Sequence, residues 1–294
     1  MDSLIIFAII IGLTTGVYYA MMALGLNLIF GVIKIVNLAH GDFIMLSAYM
    51  AFWLYFLTGM SPLVSLIIVV PVFFLVGLFV YYAMVKQLIK KKDSEMISIV
   101  AFFGLSIVIE NATSLAFGNS YRSLPLNFLP ITHINFLHFS ISVIILLMAA
   151  ISVVVIFTLF YYLNKTRNGM SVRAMMSNEE TAKAYGLNTS VIYATTIGIG
   201  MAITAIAGVF SPYLFGAIYP SEGGLITIIA FSIIIIGALG NPVATIFGGL
   251  IYGVIINLTD IYAPGWSYAI TFIILVVVII VRPNGLVGAK IREI

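Results

Sequence analysis

The chain has 294 residues, of which 63% are hydrophobic and 8% charged. Soluble domains carry about 25% charged residues, so this composition cannot cover a water-facing surface, and it is too apolar for disorder. The formal charge is only +3 and cysteine is absent, which excludes disulfide frameworks, thiolate metal sites and cysteine nucleophiles.

A helix needs about 20 apolar residues to cross about 30 Å of hydrocarbon. Candidate segments are 4–33, 42–58, 62–85, 96–117, 139–163, 191–213, 225–240, 243–262 and 267–281. The apolar runs are continuous rather than alternating, which excludes a β-barrel. The expected fold is all-α: a polytopic transmembrane helix bundle of about eight or nine spans in a single domain, 1–294. No basic stretch precedes the first apolar run, so a cleaved signal peptide is not expected. Segment 4–33 is longer than one crossing needs, and 225–240 and 267–281 are shorter. Such spans mark either broken helices around a transport path or simple tilt. Gly12/Gly16 and Gly249/Gly253 have the GxxxG spacing that lets helices approach closely.

The stretch from Gly25 to Phe43 gathers helix breakers, amides and three ionisable groups within an apolar region. One reading is a discontinuous helix lining a cavity, since backbone leaves the helix inside a membrane only where protein or water satisfies it. Asn27, Asn37 and His40 would then offer hydrogen bonds and Asp42 a negative charge. The other reading is a turn outside the membrane, with Lys34 snorkelling and Asp42 capping a helix that starts near Phe43.

Glu110 and Asn111 fall inside 96–117, where a carboxylate is costly and faces protein or water. They belong to a translocation path or to an interface with another subunit. In 118–138, Arg122 could meet an external protein through charge, as could Glu222 further on. His133 and His138 receive no role. Residues 164–190 form the one long connection on the charged side. Ser177 and Glu180 have capping-box spacing, and Gly186 stands where a glycine would end the helix. With a preceding turn at Ser171–Met176, this predicts a compact two-helix knob. Val172, Met175, Met176, Ala182 and Tyr185 would give it apolar material for a partner groove.

With the N-terminus outside, the connections facing the cytoplasm and the C-terminal tail hold 12 of the 13 basic residues, leaving only Arg122 outside. The positive-inside rule therefore sets the orientation as N-out, C-in. No G-x-x-x-x-G-K-[ST], H-E-x-x-H or G-x-S-x-G occurs in the chain, so an ATPase, a zinc protease or a serine hydrolase is a poor hypothesis. Transport is the better one, driven by a partner or a gradient. A gradient-driven secondary transporter is the alternative, and a subunit that only anchors partners is a third.

Several stretches resemble the LivH-type permeases of branched-chain amino acid ABC importers. They are Gly25-Leu26-Asn27-Leu28-Ile29 and Asn37-Leu38-Ala39-His40-Gly41-Asp42-Phe43, then Gly104 to Asn111, where the family more often has Gln in place of Glu110. The likeness continues through 167–187, Gly237-Ala238-Leu239-Gly240 and Arg282-Pro283-Asn284-Gly285-Leu286. The resemblance implies a permease subunit that is not itself an enzyme and binds no cofactor. It would sit in the cell membrane, in contact with lipid and not with nucleic acid. Its implied partners are a LivM-like second permease, two ABC ATPase subunits that hold the ATP, and an extracytoplasmic solute-binding protein. The implied solute is a branched-chain amino acid or a related small polar solute such as another amino acid, urea or an amide. The pathway would include Asn27, Asn37, His40, Asp42, Glu110 and Asn111. The knob 164–190 would couple to the ATPases, with Arg167, Gly169, Arg173, Ala174, Glu180 and Gly186 matching the family best.

Overall fold

A computed structural model describes residues 2–126, 129, 131–136, 139–282 and 285–287. The chain is a polytopic helical membrane bundle, and each of the nine apolar segments holds a helix. These are α1 (Asp2–Ile33), α2 (His40–Thr58), α3 (Pro62–Val80), α5 (Ser94–Phe117), α6 (Val143–Lys165), α9 (Thr189–Phe215), α10 (Glu222–Gly237), α11 (Pro242–Tyr262) and α12 (Ser267–Val281). The helix begun by α3 runs on through a π turn (Tyr81–Val85) into α4 (Lys86–Leu88). Two short helices, α7 (Arg167–Ser177) and α8 (Glu179–Ala184), lie between α6 and α9. Among the described residues, seven helices are long and apolar enough to cross a membrane, while α10 and α12 have 16 and 15 residues. One element outside the expected class is a small antiparallel hairpin, β1 (His133–Phe136) and β2 (Phe139–Ser142). It takes the first residues of segment 139–163, so α6 starts at Val143.

The central helix α1 packs against α6, α9, α10 and α11. The two GxxxG pairs meet at its crossing with α11. A side chain on Gly16 would strike the Gly249 carbonyl, and one on Gly253 would strike the backbone of Gly12 and Gly16. Small residues let the two backbones touch, which replaces the hydrophobic drive that lipid cannot supply. The Tyr18 hydroxyl donates to the Ala207 carbonyl at 2.6 Å and ties α1 to α9.

Segment 4–33 lies within one unbroken helix of 32 residues, Asp2–Ile33. The break comes after it. Lys34 turns into left-handed backbone with φ 58°, and its N–H closes the last turn on the Phe30 carbonyl. Residues 34–39 then run back along the bundle. Asn37 Oδ1 accepts the Ala39 N–H at 3.0 Å, a local turn that starts α2 at His40. His40 Nε2 lies 3.0 Å from the Met22 carbonyl. Met22 stands eleven residues before the end of α1, which is about 16 Å up the helix at 1.5 Å per residue. The connection is therefore re-entrant, and α2 begins inside the bundle.

The start of α10 meets the start of α2 there. The Gly41 N–H donates to Thr227 Oγ1 at 2.8 Å, and that hydroxyl lies 3.1 Å from the Leu38 carbonyl. A side chain on Gly41 would overlap the Gly223 carbonyl, and one on Gly223 would overlap Asp42. The two helices thus place their N-terminal ends against each other in the interior.

Candidate translocation site and polar knob

Asn27, Asn37, His40 and Asp42 are all buried, whereas Lys34 is exposed, and the four buried side chains do different things. Asn27 is fully enclosed. Its amide donates to the carbonyls of Ala238 and Asn241 at 3.2 and 3.0 Å and to Thr245 Oγ1, while its Oδ1 accepts the Gly240 N–H at 2.6 Å. Asn27 therefore clamps the α10–α11 turn. Asn37 makes the turn that starts α2. His40 has no exposure and binds α1 through Nε2, leaving Nδ1 unpartnered.

Asp42 is the third residue of α2, not its cap: the N-cap is Ala39, and no side chain closes the helix end. The expected start near Phe43 falls three residues late because the Asn37 turn begins the helix earlier. The Asp42 carboxylate is buried, with one oxygen unpartnered. It faces Ser106 and Glu110 of α5. Glu110 is half-buried there, whereas Asn111 is exposed on the far side of α5 and donates to the Ile107 carbonyl at 2.8 Å. The structure thus places Glu110 within electrostatic reach of Asp42, while Asn111 lies at the exposed surface.

Sequence reasoning missed two members of this region, Tyr49 and Trp53. With Asp42 they lie along one side of α2 at helical spacing, and each of the three has a buried polar atom without a partner. Beside the last of them, the Arg122 guanidinium lies 5.3 Å from the Phe52 ring centre and 5.2 Å from that of Trp53. Backbone bonds between Arg122 and Ile218 hold it there, and its Nε is also buried and unpartnered. Glu222, expected on an outer surface, is instead 2% exposed at the first position of α10. It is drawn inward because α10 starts in the interior. The available signal was the period of Asp42, Tyr49 and Trp53 along one helix face, which a search for polar clusters in sequence does not read.

Unsatisfied buried polar atoms cost about 1–3 kcal/mol each, so a row of them marks a place where water or a solute completes the bonding. The row runs from Arg122 inward to two carboxylates. The carboxylates at one end of the row favour a cation, and the Arg122 guanidinium at the other end favours an anion. Among the described residues, no group of three or more His, Asp or Glu converges to hold a metal.

The knob is more regular than expected. Thr166 caps α7 by accepting the Gly169 N–H at 3.0 Å. The cap of α8 is Asn178, accepting the Thr181 N–H at 2.8 Å, so the expected cap at Ser177 shifts by one residue. Ser177 instead ends α7, which runs from Arg167 rather than from Ser171. After α8, Gly186 at φ 78° donates to the Lys183 carbonyl and Leu187 to that of Ala182, a Schellman ending. Val172, Met175 and Ala182 are buried in the chain's own core, and Met176 packs on Gly31. These residues fasten the knob to the bundle and are not free for a partner. Tyr185 is 84% exposed and remains available. Arg167, Arg173, Ala174, Glu180 and Gly186 are also exposed, while Gly169 is buried against the Tyr162 carbonyl. Burial raises and the Lys183 ammonium and Tyr193 hydroxyl lower the Glu179 carboxyl, with a net downward shift.

Residues 8–279 match the family described as branched-chain amino acid transport system / permease component. The chain is 27% identical over 288 residues to the high-affinity branched-chain amino acid transport system permease protein BraD of Pseudomonas aeruginosa, covering 94% of each chain. It is equally similar, at 27%, to the corresponding permease protein LivH of Escherichia coli K12, covering 94% of this chain and 93% of that one. A shorter likeness, 31% over 150 residues, joins 46% of the chain to the probable permease protein LivM of Methanocaldococcus jannaschii. No solved structure matches the chain. With a family match that runs from the first span to the last and a bundle built around re-entrant polar helix starts, the chain belongs to the branched-chain amino acid transport system permease component family.

Proposed function

We propose that the chain is the permease subunit of an ATP-driven importer for branched-chain amino acids, oriented N-out and C-in as one domain, 1–294. The observation that carries this reading is the unpartnered polar row of α2, with Asp42 at its end, in a chain of this permease family. An amino acid leaving water needs its ammonium and carboxylate compensated. Arg122 meets the carboxylate near the outer end. Asp42 and Glu110 meet the ammonium further in. Asp42 and Trp53 are eleven residues apart on α2, about 16 Å, so one solute cannot hold both ends at once and passes between weak stations. Asn37 and His40 act by fixing where α2 starts, and Asn27 by fixing the α10–α11 turn. Asn111, on the exposed side of α5, faces a second, LivM-like permease.

The knob gives the chain a place to receive work from outside itself. Its exposed face, with Arg167, Arg173, Ala174, Glu180, Tyr185 and Gly186, docks one of two ATPase subunits that hold the ATP. A solute-binding protein delivers cargo to the opposite face. The decisive experiment reconstitutes the chain with these partners in liposomes and measures ATP-dependent uptake of leucine, isoleucine and valine beside urea, short amides and polar amino acids. Uptake of the branched-chain set above the others is expected. Equal uptake driven by an ion gradient without ATPase subunits would instead make the chain a secondary carrier.

A further inference from the structure

On the lysine-bearing face, the ends of α1, α4 and α5 meet α8 and α9 around a cavity of about 370 Å³. Four ammonium-bearing side chains line it: Lys34 just after α1, Lys86 and Lys90 at α4, and Lys183 on α8. The hydroxyls of Ser94, Thr189 and Ser190 share the lining, and Tyr81 donates to Ser190 at 2.8 Å. Glu179 is the only carboxylate in the lining, and its oxygen is already 2.6 Å from the Lys183 ammonium. That is the only ion pair among the described residues, so three lysines of the cavity have no carboxylate partner. Lys34 and Lys86 instead lie over the rings of Phe30 and Tyr82, at 5.6 and 5.4 Å.

Two further features set this cavity apart from an ordinary basic rim. Lys34 holds left-handed backbone, which costs about 1–2 kcal/mol for a residue with a side chain. The adjoining π turn is a rare conformation that recurs at functional sites. Lysines gathered in one concavity repel one another until an anion joins them. Lysine ammonium groups with hydroxyl donors between them suit a phosphate, whose oxygens accept from several directions. Basic pockets between span ends hold phospholipid head groups in the same way.

We propose that this cavity binds a phosphate-bearing anion, either the head group of an anionic phospholipid or a free phosphate, and thereby ties α8 of the knob to the ends of α1, α4 and α5. The proposal concerns a site separate from the polar row of α2 and does not require the transport reading to hold.

The test places the full-length chain in nanodiscs of equal phosphatidylcholine and phosphatidylglycerol and measures, by native mass spectrometry, the phosphatidylglycerol retained on extraction. A second arm titrates inorganic phosphate in phosphatidylcholine-only nanodiscs and follows thermal stability. The Lys34→Gln/Lys86→Gln/Lys90→Gln variant should lose at least about tenfold in retention or phosphate affinity. Lys91→Gln/Lys92→Gln, outside the lining, should stay within about twofold of wild type. Glu179→Gln removes the competing carboxylate and should tighten binding by about threefold, a gain that misfolding cannot produce. Retention of phosphatidylglycerol without a phosphate response identifies the lipid, and a response to phosphate alone identifies the free anion. Absence of both in the wild type, or equal binding by the triple variant, overturns the site. If the triple variant fails to fold, Glu179→Gln decides by itself, and unchanged or weaker binding rejects the proposal.

Discussion

Asn27 and Asp42 illustrate how two buried polar residues fifteen positions apart divide into structure and chemistry. Asn27 makes four hydrogen bonds to the 238–245 region. Inside membrane bundles such bonds average about 0.6 kcal/mol each, so Asn27→Ala should lose about 2 kcal/mol. Thermal unfolding of the purified protein checks this, and an unchanged melting temperature would remove the clamp. Asp42 has an unpartnered oxygen and no capping bond. Asp42→Asn keeps its volume and removes its charge. If the charge meets the solute, this variant should assemble normally and lose at least about tenfold in uptake. Full activity in Asp42→Asn would show that the carboxylate charge is not used. The sequence marked both residues as polar and enclosed, but their partners come from α5, α10 and α11, far along the chain.

At the scale of elements, the paired starts of α2 and α10 depend on the absence of side chains. A methyl at Gly41 meets the backbone of Gly223 and Thr227, whereas one at Gly104 on α5 meets nothing. Overpacking of this kind costs about 1–3 kcal/mol. Gly41→Ala should therefore lower the amount of folded protein in the membrane, with Gly104→Ala as a tolerated control, both read by detergent-extraction fluorescence of a tagged chain. The knob offers a second test. Arg173→Glu inverts an exposed charge and should leave the protein in the membrane while uptake falls and ATP hydrolysis no longer follows solute. Gly186→Pro removes the N–H that closes α8 on Lys183 and cannot adopt φ 78°, so it should give the same uncoupling with added local instability. Normal uptake and ATPase stimulation in both variants would reject the docking role. The knob was legible from its polar composition and its Gly186 stop. The burial of Val172, Met175 and Ala182 was not, because an apolar stripe on a short helix reads the same whether it faces its own bundle or a partner.

For the whole molecule, orientation is the open dimension that labelling resolves. Cysteines placed at Lys91 and Ser177 should react only from the cytoplasm, and one at Ser61 only from outside; the chain has no native cysteine to interfere. Asn127 and Lys290 would serve the same purpose but lie outside the described residues, as do His138, Pro283, Asn284 and Arg292. External labelling at Ser177 in intact cells would overturn the orientation and the coupling role together. By itself the sequence determined that the chain is a helical membrane protein and where its nine apolar segments lie. Apolar runs of span length report the hydrocarbon thickness directly, whatever packs beside them. It also carried the family likeness, from Gly25 to Leu286. Only the tertiary structure decided that α1 is unbroken, that residues 34–39 turn back into the bundle, and that Gly12/Gly16 meets Gly249/Gly253. The same holds for the placing of Glu110 within electrostatic reach of Asp42 and for the gathering of Lys34, Lys86, Lys90 and Lys183 around one cavity. Each of these joins segments separated by tens or hundreds of residues, and in a bundle hydrophobic on nearly every face, periodicity does not say which face meets which helix.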